Sequence, residues 1–139
     1  MAIPNTPNMD TKLKHLEFIQ NVITRMNANS FLIKGWTITL VAALFALAAK
    51  DANTTYFIIA FIPIPIFWML DGFYICQERQ YRKLYEAVSA KKPEEIDFNM
   101  DASGFSNTWL EGVFSKTLIP FYGASIVVTV VVMYVITRQ

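Results

Sequence analysis

Three long apolar runs punctuate an otherwise mixed chain. Phe31–Ala49 (FLIKGWTITLVAALFALAA), Phe57–Tyr74 (FIIAFIPIPIFWMLDGFY) and Leu118–Thr137 (LIPFYGASIVVTVVVMYVIT) are each close to the length that crosses a membrane. A helix needs about 20 residues to cover a hydrocarbon core of roughly 30 Å. Ahead of the first run, Leu13, Leu16, Ile19, Val22, Ile23 and Met26 recur at three- and four-residue steps, while Lys12, Lys14, Glu17 and Arg25 lie mainly off that stripe. This is the pattern of an amphipathic helix, with Asp10 as its expected N-cap. No proline or glycine intervenes before Gly35, so the helix is free to continue into the first span. Packing on another helix of the same chain is one fate for its stripe; lying flat on a membrane surface is the other.

After the second run, Tyr81, Leu84, Tyr85 and Val88 mark one face of a helix that leaves the membrane, and Lys91, Lys92 and Pro93 end it. The next stretch, PEEIDFNMDASGFSN, is acidic and rich in turn residues. Thr108 and Glu111 then have capping-box spacing, which predicts a short interfacial helix over WLEGVFSKTL. The expected fold class is therefore all-α, an integral membrane protein with three transmembrane helices. Its parts are an N-terminal amphipathic cytoplasmic helix (1–30), a two-span hairpin (31–75), a cytoplasmic extension of the second span with its loop (76–117), and a third span (118–139).

The spans also set an orientation. The linker KDANTT is so short that the first two spans must form an antiparallel hairpin. Lys12, Lys14, Arg25, Lys34, Arg79, Arg82, Lys83, Lys91, Lys92 and Lys116 fall on one side of the membrane, against Lys50 and Arg138 on the other. By the positive-inside rule the N-terminus and the long loop are cytoplasmic and the C-terminus lies outside. The start of the chain does not resemble a cleavable signal peptide, so the first span is expected to act as its own insertion signal. Composition agrees with this class: 54% of the 139 residues are hydrophobic and only 17% charged. A net charge of +1, with no basic cluster among aromatics, gives no reason to expect nucleic-acid binding.

Polar residues inside apolar runs are the candidates for function, because each is costly in lipid. Lys34 lies 19 residues before Asn53, near the middle of the linker, and Asp71 lies 18 residues after it. The two charges should reach the same depth near the cytoplasmic face, where they either pair or go separately to the headgroups and to water. Asn27, Ser30, Lys34 and Thr37 share one helix face, a pore-lining or gating candidate. Pro63 and Pro65 each remove a backbone donor and predict a bend. Gly123, Ser125 and Thr129 form a small-residue face on which membrane helices pack closely. Trp36 and Trp68 fit an inner aromatic belt.

Enzyme chemistry finds little footing, and no catalytic residue is expected. His15 is the only histidine and Cys76 the only cysteine, so neither a disulfide nor a cysteine cluster is available. Cys76 reads as a buried small residue or an acylation-type position rather than a nucleophile. Asp97-x-Asn99-x-Asp101 opens like a calcium loop but has Ala102 where glycine belongs and Thr108 where glutamate belongs. Neither a metal nor a cofactor is expected.

The layout of cytoplasmic helix, tight two-span hairpin and helical extension, with the run HLEFIQNVITRMNANSFLIKGW, resembles the SLATT-type membrane effectors of bacterial conflict systems. The resemblance covers roughly residues 10 to 90, and the third span departs from the two-span pattern. It implies a homo-oligomer in the bacterial inner membrane that forms a pore or perturbs the bilayer when triggered, in antiphage defence. The cytoplasmic chain is short for a sensor, so a soluble partner would supply the trigger. Two alternatives stand beside this: a non-conducting anchor that recruits a soluble protein, and a small ion-transporter subunit. The facing of Lys34 and Asp71 separates the first two. Charges turned to a shared axis favour conduction, and charges buried against each other within one subunit favour the anchor.

Overall fold

The computed structural model describes residues 7–51, 53, 55–105 and 108–138. Residues 1–6 at the start of the first segment, and Ala52 and Thr54 of the hairpin linker, lie outside them. The described chain is helical, and three of its helices are long and apolar enough to cross a membrane. Helix α1 (Pro7–Asp51) joins the amphipathic stretch and the first apolar run into one 45-residue rod, about 68 Å long at helical rise. It starts at Pro7, whose fixed φ suits a first helical position. Asp10 is therefore inside the first turn, where its charge complements the helix dipole, and not at the expected N-cap.

Helix α2 (Thr55–Ala60) returns from the linker, and α3 (Pro63–Ala90) follows after Phe61 and Ile62. The interruption falls where the two prolines require it. Pro63 and Pro65 cannot donate to the carbonyls of Ile59 and Phe61, so the chain tightens: Phe61 N–H donates to Ile58 O (3.2 Å) and Ile62 N–H to Ile59 O (3.1 Å). Pro63 then sits at the start of the new helix. A single 3₁₀ turn (Pro93–Glu95), a loop, helix α4 (Trp109–Val113) and helix α5 (Leu118–Thr137) complete the order. Thr108 occupies the N-cap of α4 but makes no side-chain cap bond, and the helix is shorter than the predicted stretch, with turns from Phe114 onwards.

Two hydrophobic cores result. At the polar end, Ile19 and Ile23 of α1 meet Leu84 and Val88 of α3, and Ala102, Ile96, Met100 and Phe105 of the loop close over them. The two sequence stripes thus face each other and the loop roofs the seam. Lys12 donates to the carbonyls of Ser89 and Lys91 (both 2.8 Å), which ties the far end of α3 to α1. The calcium-like residues serve the backbone here: Asp97, Asn99 and Asp101 each accept from the amide two residues on, at 3.1, 2.9 and 2.9 Å. The second core, Val41, Ile64, Leu118 and Tyr122, lies among the three apolar helices.

Candidate functional site

Between the two cores sits a polar cluster contributed by α1, α3 and α5. Asp71 is fully buried and its carboxylate is its centre. Lys34 Nζ stands 2.6 Å from Oδ2, Ser30 Oγ donates to Oδ1 at 2.5 Å, and Tyr122 Oη donates to Oδ2 at 3.0 Å. Lys34 also donates to Ser30 Oγ (2.8 Å), so the ammonium, the hydroxyl and the carboxylate close a triangle. Burial explains the need for this many donors. An ionised carboxylate taken from water is tolerable only when an opposite charge and further hydrogen bonds replace its hydration.

The local sequence delivers each group. Ser30, Lys34 and Thr37 recur at helical steps on the inner face of α1; Ser30 and Thr37 are buried, and the side chain of Lys34 keeps 22% exposure. Thr37 donates to Ile33 O (2.8 Å) and stands beside the Tyr122 hydroxyl. Asn27 is on the same side but exposed, outside the cluster. The Lys34 ammonium also lies 5.9 Å from the Phe121 ring centre.

Tyr122 is the residue that sequence reasoning missed, and it links the third helix to the pair. It is fully buried, and its ring stacks on Trp68 with centroids 5.6 Å apart and planes 5° from parallel. Trp68 is consequently half-buried against α5, while Trp36, at 62% exposure, remains on the outer surface. The available signal was depth, since Tyr122 enters the third apolar run at the same end as Lys34 and Asp71.

A second missed feature braces the cluster. Helix α4 lies against α3 at a glycine–glycine crossing. A Cβ on Gly72 would come within 2.8 Å of Val113 Cα, and one on Gly112 would overlap the carbonyl of Gly72 and come within 3.2 Å of Cys76 N. Two indoles fasten the crossing from opposite sides: Trp68 Nε1 donates to Val113 O (2.8 Å) and Trp109 Nε1 to Met69 O (3.0 Å). Gly72 follows Asp71 directly, so α4 packs immediately beside the buried acid.

On the small-residue face of α5, Thr129 is fully buried within the chain, whereas Gly123 and Ser125 are half-buried. A Cβ on Gly123 would meet nothing within 4 Å, so no described helix approaches it closely. Ser125 and Thr129 donate to the carbonyls of Phe121 (2.9 Å) and Ser125 (2.8 Å), satisfying their hydroxyls inside their own helix. His15 is buried beneath the roofing loop, with Nε2 3.1 Å from Asn99 O and Phe98 tilted over its ring. Among the described residues no group of three His, Cys, Asp or Glu side chains is arranged to hold a metal ion. The arrangement joins three helices through one neutralised ion pair. The chain matches no family model, no curated protein and no solved structure.

Proposed function

We propose that the chain is a membrane anchor that does not itself conduct and whose cytoplasmic end recruits a soluble partner. One observation carries this reading: Asp71 is fully buried against Lys34, Ser30 and Tyr122 of the same subunit. A carboxylate lining a water-filled path would face that path, whereas this one has both oxygens engaged by side chains of the other two long helices. In this reading the N-terminus and the roofed end lie in the cytoplasm of a bacterial cell and the C-terminus lies outside. The cluster is a lock that fixes three spans in register. The roofed α1–α3 end projects away from the membrane as a preformed docking platform.

The triggered effector of the SLATT type is the second reading, favoured by the partial exposure of Lys34. A pair closed within each subunit and reachable from one side is suited to being opened, and opening it would release all three spans at once. Homo-oligomerisation belongs to this reading. The ion-transporter reading draws less support, since the oxygens of Asp71 are already taken.

Ion and dye leakage from liposomes holding the purified protein distinguishes the readings, with wild type beside Lys34→Ala and Asp71→Ala. Sealed vesicles in all three cases, with and without cytoplasmic extract, support the anchor. Leakage from wild type that either substitution abolishes or locks open overturns it in favour of the effector.

A further inference from the structure

Helices α1 and α5 do not close on each other beyond the charged cluster. They leave a groove of about 410 Å³ between Val41, Ala42 and Phe45 on one side and Ala124, Ser125 and Val128 on the other. Its walls are almost wholly apolar, because Ser125 turns its hydroxyl back to Phe121 O. Alanines on both sides keep it open, and the vacant flank of Gly123 belongs to the same stretch of α5. The groove lies along two helices apolar enough to span a membrane, so hydrocarbon surrounds it.

One end of the groove is charged. Phe121 and Thr37 also line it, and the Lys34 ammonium lies over the Phe121 ring, one helical turn from Thr37. Lys34 directs two donors to Asp71 Oδ2 and Ser30 Oγ, while its contact with Ser30 O is long at 3.5 Å. That third N–H is the weakly held one, and the Lys34 side chain keeps 22% exposure. Lys34 is three residues inside the first apolar run, and Phe121 is in the first turn of α5, which places this end at headgroup depth.

We propose that the groove is a phospholipid site: one acyl chain lies between α1 and α5, and the headgroup phosphate accepts from Lys34. Charge decides between this occupant and a helix of a second copy. The apolar runs of the chain contain a single acid, Asp71, and it is buried and already paired. A span of a second copy lying in the groove thus has no free anion to offer, and Glu111 lies on α4, outside the apolar runs. A phospholipid carries a phosphate at that depth and a flexible chain below it, in the order the groove presents cation and apolar wall. Snorkelling lysines at helix ends meet such phosphates readily.

The test is native mass spectrometry of the full chain released from vesicles of phosphatidylglycerol mixed with a neutral diacyl glycolipid of the same chain length. Wild type is expected to retain one phosphatidylglycerol per chain, about tenfold in excess over the glycolipid, as the loss of one charge-assisted hydrogen bond implies. Ala124→Phe, which fills the groove, should lower that retention about tenfold, and Ala46→Phe, on an exposed part of α1 outside the groove, should leave it unchanged. Ala42→Phe fills the groove from its other wall and must give the same loss, which guards against a folding defect peculiar to α5. Equal retention of both lipids, or of phosphatidylglycerol in wild type and both filled variants, overturns the site. So does efficient crosslinking of Ala124→Cys between two chains in the same vesicles, because a second copy would then occupy the groove.

Discussion

Removing one member of the Lys34–Asp71 pair should cost far more than removing both. Lys34→Met leaves a fully buried carboxylate with only the Ser30 and Tyr122 hydroxyls as donors. Breaking a buried pair in this way costs about 3–5 kcal/mol. Asp71→Leu should cost less, about 2 kcal/mol, because Lys34 already has 22% exposure and its long stem can carry the ammonium out to headgroups and water. In the double variant neither charge remains, and two apolar side chains of similar volume fill the space. Such replacements are neutral or even stabilising by roughly 1–4 kcal/mol relative to the original pair. The double-mutant cycle should therefore give a coupling of about 5–7 kcal/mol, above the roughly 0.5–3 kcal/mol usual for groups in contact. Unfolding in mixed micelles by a denaturing detergent supplies the free energies. Tryptophan fluorescence can follow it, since Trp68 is stacked on Tyr122 beside the pair. Two single variants that each cost under about 1 kcal/mol and simply add would refute the lock, because hydrated charges behave that way.

The other predictions concern the brace, the third helix, the polar-end core and the roof. Gly112→Ala should destabilise by about 1–3 kcal/mol, because the new methyl meets backbone that cannot turn aside, while Gly123→Ala, with nothing within 4 Å, should be neutral or slightly stabilising in the same assay. Tyr122→Phe keeps the stack on Trp68 but removes the donor to Asp71, a loss of about 1–2 kcal/mol that should fall sharply in the Asp71→Leu background. Ile23→Ala should cost about 2–5 kcal/mol and loosen the roofing loop, read as faster amide exchange at residues 96–105. The carboxyl of Asp97 is held below its ordinary range chiefly by the Asn99 amide, and that of Asp101 by the side chain and amide of Ser103. Both favour the ionised folded form, so their contribution is complete above the usual carboxylate range and is lost as pH falls through it towards their lower folded values. Amide resonances of Asn99 and Ser103 should shift in that acid window, and unchanged resonances down to the lowest soluble pH would disprove the turns.

Much of the frame was legible because membranes enforce simple rules. A run of about 20 apolar residues, a short linker and matching stripes at Ile19 and Leu84 leave few arrangements open. The convergence of Lys34 and Asp71 followed from counting residues on either side of a tight turn. Asn27 is exposed although it shares a helix face with the cluster, because a shared face does not say which of its residues a neighbour covers. Gly123 stays open within the chain for a related reason: small residues permit close approach without requiring it, and the crossing among the described helices uses Gly72 and Gly112. That crossing was illegible since α4 is only five residues long and is positioned by tertiary bonds from Trp68 and Trp109, not by its own propensity. Tyr122 escaped notice as an aromatic among aromatics, although its hydroxyl makes it the polar group of the third span nearest the pair.

The strength of the lock also sets the terms on which any trigger would have to act. To move a two-state molecule from almost wholly closed to almost wholly open, a partner must bind the open form tighter by about 5.5 kcal/mol. The closed form here is held by an ion pair whose rupture costs about 3–5 kcal/mol, by the Trp68–Tyr122 stack and by the α4 crossing. A small contact on the roofed end could not supply that difference; a partner would have to engage the loop and α4 together. Besides the long helices α1 and α3, which run through both regions, helix α4 joins them: it follows the roof in sequence, grips α3 beside Asp71, and holds Trp68, on which Tyr122 rests. If cytoplasmic extract opens the liposomes, Gly112→Ala, which weakens that grip, should lower the amount of extract required. If extract binds the protein and the vesicles stay sealed even in that variant, binding and the spans are uncoupled. The anchor then accounts for every contact around Asp71 without a second state.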